Sequence, residues 1–414
     1  MKELILSNLE HPFELEKLYR KNKSEFKTSF NSLYPEIMGK GTADFWNARL
    51  NLESETVSWG TFHEWRFILI AAAIAWVLAK LPAIFTWDEE FFYTRNLGFI
   101  VFPFVSAYFA WKNRIPLKSI LIPLVTVLAA ALYINLLPED KASDTLILAC
   151  IHLPLLLWGI LGYVFSGAEG KRLSKRLDYL NFNGDAVIMG AILGLAGLLM
   201  SGITVGLFSL IDINIEKFYF EYIAVFGLVA APLVATHLTQ KIPQLVNKVA
   251  PIIAKIFSPL VLIMLVIYLG AIVYAGKDPY NDREFLMLFN MLLIGVMGLI
   301  FFSVAEASGQ GNSSSGKWVL ASLSLVTILV NGVALSAIAF RISEWGITPN
   351  RMAVLGVNIL MLIHLIQVSR KLISTVQNKS HLKEVGLVLV KYLPVYLIWS
   401  AIVVFLFPLL FGFE

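Results

Sequence analysis

Two stretches of this 414-residue chain place charged and amide side chains where a ligand could sit. The first reads Lys277-Asp278-Pro279-Tyr280-Asn281-Asp282-Arg283-Glu284. The second reads Arg341-Ile342-Ser343-Glu344-Trp345-Gly346-Ile347-Thr348-Pro349-Asn350-Arg351. Each runs into a long apolar segment, with an Arg at its head and an Asn seven residues deeper: Arg283 with Asn290, and Arg351 with Asn358. Seven residues make two helical turns, so each pair forms one stripe about 10 Å long. Asp278, Asp282, Glu284 and Glu344 add carboxylates that could pair with the arginines or hold a divalent cation. Asn281 and Asn350 follow a Pro shortly before the helix, where an Asn can cap its first turn. A polar stripe facing lipid is costly, so these stripes should face a bundle interior or a water-filled cavity. The ligand-binding candidates are therefore Asp278, Asn281, Asp282, Arg283, Glu284, Asn290, Glu344, Asn350, Arg351 and Asn358. The competing reading is that the cluster fixes loop geometry and sets the register of two helices.

Other chemistry is hard to find. The six histidines, His11, His63, His152, His237, His364 and His381, form no HExxH string and no Cys/His pairing with Cys150, the single cysteine. His152, His237 and His364 lie within or near apolar segments; three such histidines could form a metal or proton site, but each is expected rather to hydrogen-bond a neighbouring helix. The string Gly311-Asn312-Ser313-Ser314-Ser315-Gly316-Lys317-Trp318 is one residue short of a phosphate-binding loop. It follows an apolar segment rather than a buried strand, and Trp318 replaces the hydroxyl that would hold magnesium. No nucleophile stands next to a base, so the sequence offers no catalytic residues, no metal site and no cofactor. A net charge of +4 is too small to argue for nucleic acid.

The elements that must position these residues are apolar helices. The chain is 57% hydrophobic and 15% charged, with a mean hydropathy of +0.72. Its apolar residues fall into runs of about 20, the length that crosses about 30 Å of hydrocarbon. The expected fold class is all-α, a polytopic transmembrane helix bundle of about 11 spans over residues 65–414. The spans fall near 65–86, 96–112, 117–137, 144–167, 185–211, 218–238, 256–276, 285–305, 317–341, 350–370 and 388–411. Residues 239–256 read as an interfacial helix leading into the seventh span. Residues 308–316 read as a flexible linker. Gly190, Gly194, Gly197, Gly202 and Gly206 give the fifth span small-xxx-small spacing, which predicts close approach of a neighbouring helix.

Residues 1–64 form a short N-terminal amphipathic helical segment. Phe13, Leu15, Leu18, Tyr19, Phe26, Phe30, Leu33 and Tyr34 recur at helical spacing, and such a stripe needs cover. The membrane domain, the headgroup layer or a protein partner could supply it. Lys and Arg are in excess in the loops on the N-terminal side, densest at Lys171-Arg172-Leu173-Ser174-Lys175-Arg176. This puts the N-terminus in the cytoplasm and the C-terminus outside.

The strings at 277–285 and 341–351 resemble those of bacterial inner-membrane proteins of the domain of unknown function 4153 family. The preface, with Leu15-Glu16-Lys17-Leu18-Tyr19-Arg20, is similar to that of Bacteroidetes members. The resemblance implies a bacterial plasma-membrane protein and brings no catalytic residues. Three functions fit these residues. The first is transport or binding of a small or lipid-like ligand through an outward-facing polar cavity. The second is an enzyme acting on a lipid-linked substrate. The third is a scaffold or assembly factor that docks a partner at the N-terminal segment. The partner implied in every case is the lipid bilayer.

Overall fold

The computed structural model describes residues 1–51, 59–140, 142–167, 173–246, 249–274, 280, 283–310 and 314–413. Every regular element among them is helical. The chain divides into two compact units, Met1–Trp59 and Gly60–Glu414.

The first unit comprises α1 (Lys2–Ser7), α2 (Pro12–Lys21), α3 (Lys23–Ile37) and α4 (Gly41–Asn51). Pro12 opens α2 where its missing N–H costs nothing. Asn22 caps α3 by accepting the Glu25 N–H. Ile5, Leu15, Phe26 and Phe30 are fully buried, and Trp46 of α4 closes over them. Tyr19 meets both Phe26 and Trp46 edge-on, at centroid distances of 5.7 and 5.6 Å. The stripe expected to need outside cover therefore makes a core of its own. The cover comes from Ala43, Trp46 and Leu50 of α4, where intervening Asn and Arg residues obscure the apolar period. Arg49 lies over the Trp46 ring at 4.6 Å and forms an ion pair with Glu16 at 2.8 Å.

The second unit begins with α5 (Phe62–Ala79), α6 (Leu81–Phe85), α7 (Glu89–Lys112), α8 (Leu117–Leu136), α9 (Asp144–Ser166) and α10 (Leu173–Ser209). A short α11 (Glu216–Phe218) passes through a π-helical turn, Tyr219–Ala224, into α12 (Val225–Lys241). Then come α13 (Val249–Tyr274), α14 (Arg283–Gln310), α15 (Ser314–Trp345) and α16 (Pro349–Val376). α17 (Leu382–Ala401) continues through a second π turn, Ile402–Leu406, into α18 (Phe407–Leu410). Among the described residues ten helical stretches are long and apolar enough to cross a membrane. They define an all-α, multi-pass bundle. α7 is 24 residues long but carries Glu89, Glu90, Arg95 and Lys112, and it falls outside those ten.

Side-chain oxygens cap the first turn of four of the long helices, α5, α7, α9 and α16. Asp88 accepts from Phe91, Ser143 from Leu146 and Thr348 from Arg351, while Thr61 and Glu64 form a reciprocal capping box on α5. Glu64 and Thr61 thus belong to the second unit and not to the N-terminal segment.

Three sequence expectations need correction. Among the described residues of 239–256 there is no separate interfacial helix: α12 runs to Lys241, Pro243–Leu245 make one 3-10 turn, and α13 starts at Val249, before Pro251. A proline in the first helical turn costs no hydrogen bond, so Pro251 does not break α13. The linker expected over 308–316 is shorter: α14 continues to Gln310 and α15 opens at Ser314, with 311–313 outside the described residues. The five glycines of α10 approach no neighbour among the described residues, for a Cβ added at Gly190, Gly194, Gly197, Gly202 or Gly206 would meet nothing there within 4 Å. The close helix approaches occur instead at Gly98, Gly159, Gly162, Gly184 and Gly356.

Candidate functional site

α14, α15 and α16 share one core, in which Ile300, Leu323, Val330, Leu365 and Val368 are fully buried. Three carboxamides interrupt this apolar packing. Asn290 on α14, Asn331 on α15 and Asn358 on α16 meet inside it. Asn358 Nδ2 donates to Asn290 Oδ1 at 2.7 Å, and Asn331 Nδ2 approaches Asn358 Oδ1 at 3.5 Å. Asn290 in turn donates to the Leu286 carbonyl of its own helix at 2.7 Å. Asn331 is fully buried, and its Oδ1 accepts no hydrogen bond among the described residues. One turn before it on α15, Thr327 turns its hydroxyl to the Leu323 carbonyl, as Ser324 does to Ala321. The arrangement is a string of neutral dipoles across three helices, ending in one lone-pair oxygen without a donor.

The two stripes foreseen from the sequence thus converge at their deep ends, through Asn290 and Asn358. Asn331 was missed because no Arg or Pro marks it; it stands alone in an apolar run. Its signal was the amide itself, since a carboxamide in hydrocarbon needs a partner.

The shallow ends differ. Arg351 Nη1 donates to the Trp345 and Gly346 carbonyls, both at 2.7 Å, and the guanidinium lies 5.8 Å from the Trp345 ring centre. It closes the C-terminus of α15, where orphan carbonyls and the negative end of the helix dipole favour a cation. Gly346 takes φ +78° there, the left-handed conformation that ends helices. The cap of α16 is Thr348 and not Asn350, since Thr348 Oγ1 accepts the Arg351 N–H at 3.3 Å. Asn350 is half-buried in the first turn, and Glu344 is exposed in the last turn of α15. Asp278, Asn281 and Asp282 lie outside the described residues; Arg283 and Glu284 are described only as the backbone that opens α14.

Arg95 repeats the device of Arg351 elsewhere. It is buried, donates to the Ile134, Leu137 and Pro138 carbonyls at 3.1 to 3.3 Å, and stacks on Phe91 at 3.9 Å. Next to it, Asn96 and Asn135 exchange two hydrogen bonds of 2.9 Å between α7 and α8.

Of the three membrane histidines, two bond neighbouring helices as expected. His237 Nδ1 is 3.1 Å from the Tyr108 hydroxyl, and His364 Nδ1 is 3.2 Å from that of Tyr396. His152 instead bonds the Leu148 carbonyl of its own helix. His237 lies beside an ion pair, Glu64 with Lys241 at 2.7 Å, that joins α5 to α12. His364 lies in a ring of Phe301, Tyr392 and Tyr396, with Tyr392 stacked at 4.4 Å. Among the described residues no group of three or more His, Cys, Asp or Glu could hold a metal ion.

Fold and site together define a multi-pass, all-α membrane protein with a polar string inside one three-helix sector. No family model matches the chain, and neither the curated proteins nor the solved structures yield a match.

Proposed function

We propose that the chain binds or transports a small polar ligand through the interior of α14–α16, entered from the end where α14 and α16 begin. In this reading it is a bacterial plasma-membrane protein of the domain of unknown function 4153 family, with its N-terminus cytoplasmic, its C-terminus outside and α7 as an eleventh span. The supporting observation is Asn331, a fully buried carboxamide whose Oδ1 has no donor among the described residues. An unpaired buried acceptor costs roughly 1–3 kcal/mol, and polar groups inside membrane bundles are retained mainly where they serve a ligand path. Asn358 and Asn290 continue the path toward the loop that Arg351 holds in shape.

The test is a thermal-unfolding screen of the full-length protein in detergent against sugars, polyols, amino acids and inorganic phosphate. A compound that binds only the folded state raises the midpoint. Asn331→Leu keeps the volume and removes the acceptor. It also removes the long 3.5 Å contact to Asn358, and it is expected to fold and to lose the ligand-dependent rise. A rise that survives in Asn331→Leu overturns the proposal, as does a panel in which no compound shifts the wild type.

A further inference from the structure

Where α10 ends and α11 begins, the surface carries an open recess of about 570 Å³, lined by Asn214, Glu216, Lys217, Phe220 and Glu221. Asp212 turns the chain there with a left-handed φ of 59°, and Asn214 Oδ1 accepts the Glu216 N–H at 3.0 Å, which fixes the start of α11. Phe220 and Glu221 belong to the π-helical turn Tyr219–Ala224. Such turns insert an extra residue into a helix and re-aim its side chains, and they recur at functional sites. Glu221 is held by Lys80, whose Nζ is 3.6 Å away and also lies over the Tyr222 ring. Glu216 and Lys217 form no ion pair among the described residues.

The recess therefore offers a carboxylate and an ammonium that are both uncommitted, a second carboxylate already anchored, and an aromatic ring. Its flanks are apolar and exposed at Leu210, Ile211 and Phe218. They sit at the ends of stretches long enough to cross a membrane, which places the recess at headgroup depth.

We propose that this recess binds a phosphoethanolamine headgroup. Its primary ammonium donates to Glu216 and Glu221 and packs on Phe220, and its phosphate diester takes Lys217. The apolar flanks carry the acyl chains, so the source is a membrane phospholipid rather than the soluble headgroup. A quaternary choline has no N–H to give the carboxylates, and a glycerol headgroup has no cation. This inference goes beyond the polar string of α14–α16 and does not rest on it, because it uses different helices and a different ligand.

The experiment uses full-length protein exchanged into phosphatidylcholine nanodiscs that contain equal minor fractions of phosphatidylethanolamine and phosphatidylglycerol. Native mass spectrometry counts the lipids retained after release, with glycerophosphoethanolamine added in a parallel arm. The wild type is expected to keep phosphatidylethanolamine over phosphatidylcholine by roughly tenfold, the scale of a charge-assisted hydrogen-bond pair. Glycerophosphoethanolamine at equal concentration is expected not to displace it. Glu216→Gln should bring the preference to within about twofold, and Lys217→Gln should weaken both lipids alike. Both side chains are exposed, so the thermal midpoint should not move. Equal retention of the two lipids by the wild type, or an unchanged preference in Glu216→Gln, overturns the assignment. Full displacement by the soluble headgroup overturns the lipid as its source.

Discussion

Asn358 Nδ2 reaches Asn290 Oδ1 at 2.7 Å across 68 residues of sequence, tying α16 to α14 within the bundle. Removing Asn358 alone leaves Asn290 Oδ1 without its donor, whereas removing both amides relieves that loss and leaves only Asn331 without its weak contact to Asn358. Asn358→Leu is expected to lower stability by about 1–3 kcal/mol, and the double variant Asn290→Leu, Asn358→Leu to recover part of the loss. Thermal unfolding of the four proteins of this cycle reads the coupling. Simple additivity of the two single losses would show that the bond contributes nothing.

Arg351 acts on the helix before its own. Arg351→Met should free the Trp345 and Gly346 carbonyls and cost about 1–2 kcal/mol. Arg351→Lys should restore part of this, since an ammonium supplies charge without a planar fork. Hydrogen exchange over residues 342–350 is the measurement. Equal protection in wild type and Arg351→Met would remove the clamp from the account.

Gly60 takes φ +92°, and a Cβ there would lie 2.5 Å from His237 Nε2 and 3.0 Å from Glu64 Oε2. Gly60→Ala combines backbone strain with a clash against a fully buried ring, for an expected cost of about 1–3 kcal/mol. Gly60→Ala in a His237→Ala background should cost less, because the ring clash is gone and only the strain and the looser Glu64 contact remain. A thermal-unfolding cycle that shows equal costs in both backgrounds rules out the clash.

The first unit should respond to pH at two limits. The Arg20 hydrogen bond, with the Arg49 charge beside it, holds the Glu16 carboxyl below the usual carboxylate range. Folding therefore favours its ionised form. That stabilisation is present above the unfolded value of about 4.3 and is lost as pH falls through the lower folded value. The hydrogen bond from Tyr34 to Asp44, at 3.0 Å, pushes the phenol up. Its contribution is present below about 10 and is lost as pH rises through the higher folded value. Fluorine NMR of full-length protein carrying fluorotryptophan can follow Trp46. Its buried signal should hold from about pH 5 to pH 9 and weaken at both extremes. An acid midpoint unchanged in Glu16→Gln would exclude Glu16 as the cause.

The membrane spans were legible in the sequence because hydrocarbon thickness sets helix length almost independently of packing. The convergence of Asn290 and Asn358 was legible as two matching stripes. Asn331 was not, since a span's rotation about its axis follows from packing that no single run encodes. The core of the first unit escaped notice for a related reason: Trp46 completes it from a helix whose own pattern is weak. The glycines of α10 show the reverse error, a motif present without the intramolecular neighbour it suggests.

Arg95 has a consequence for how the bundle is assembled. The chain emerges N-terminus first, so α7 is made before α8, yet the carbonyls that satisfy Arg95 belong to the end of α8 and the loop beyond it. A guanidinium entering hydrocarbon alone costs about 2.5–3.5 kcal/mol at mid-bilayer. Asn96 adds an amide whose cross-helix partner is also on α8. α8 is apolar enough to cross on its own, whereas α7, as the eleventh span proposed above, covers Arg95 and Asn96 only against α8 and is suited to enter lipid together with it rather than ahead of it.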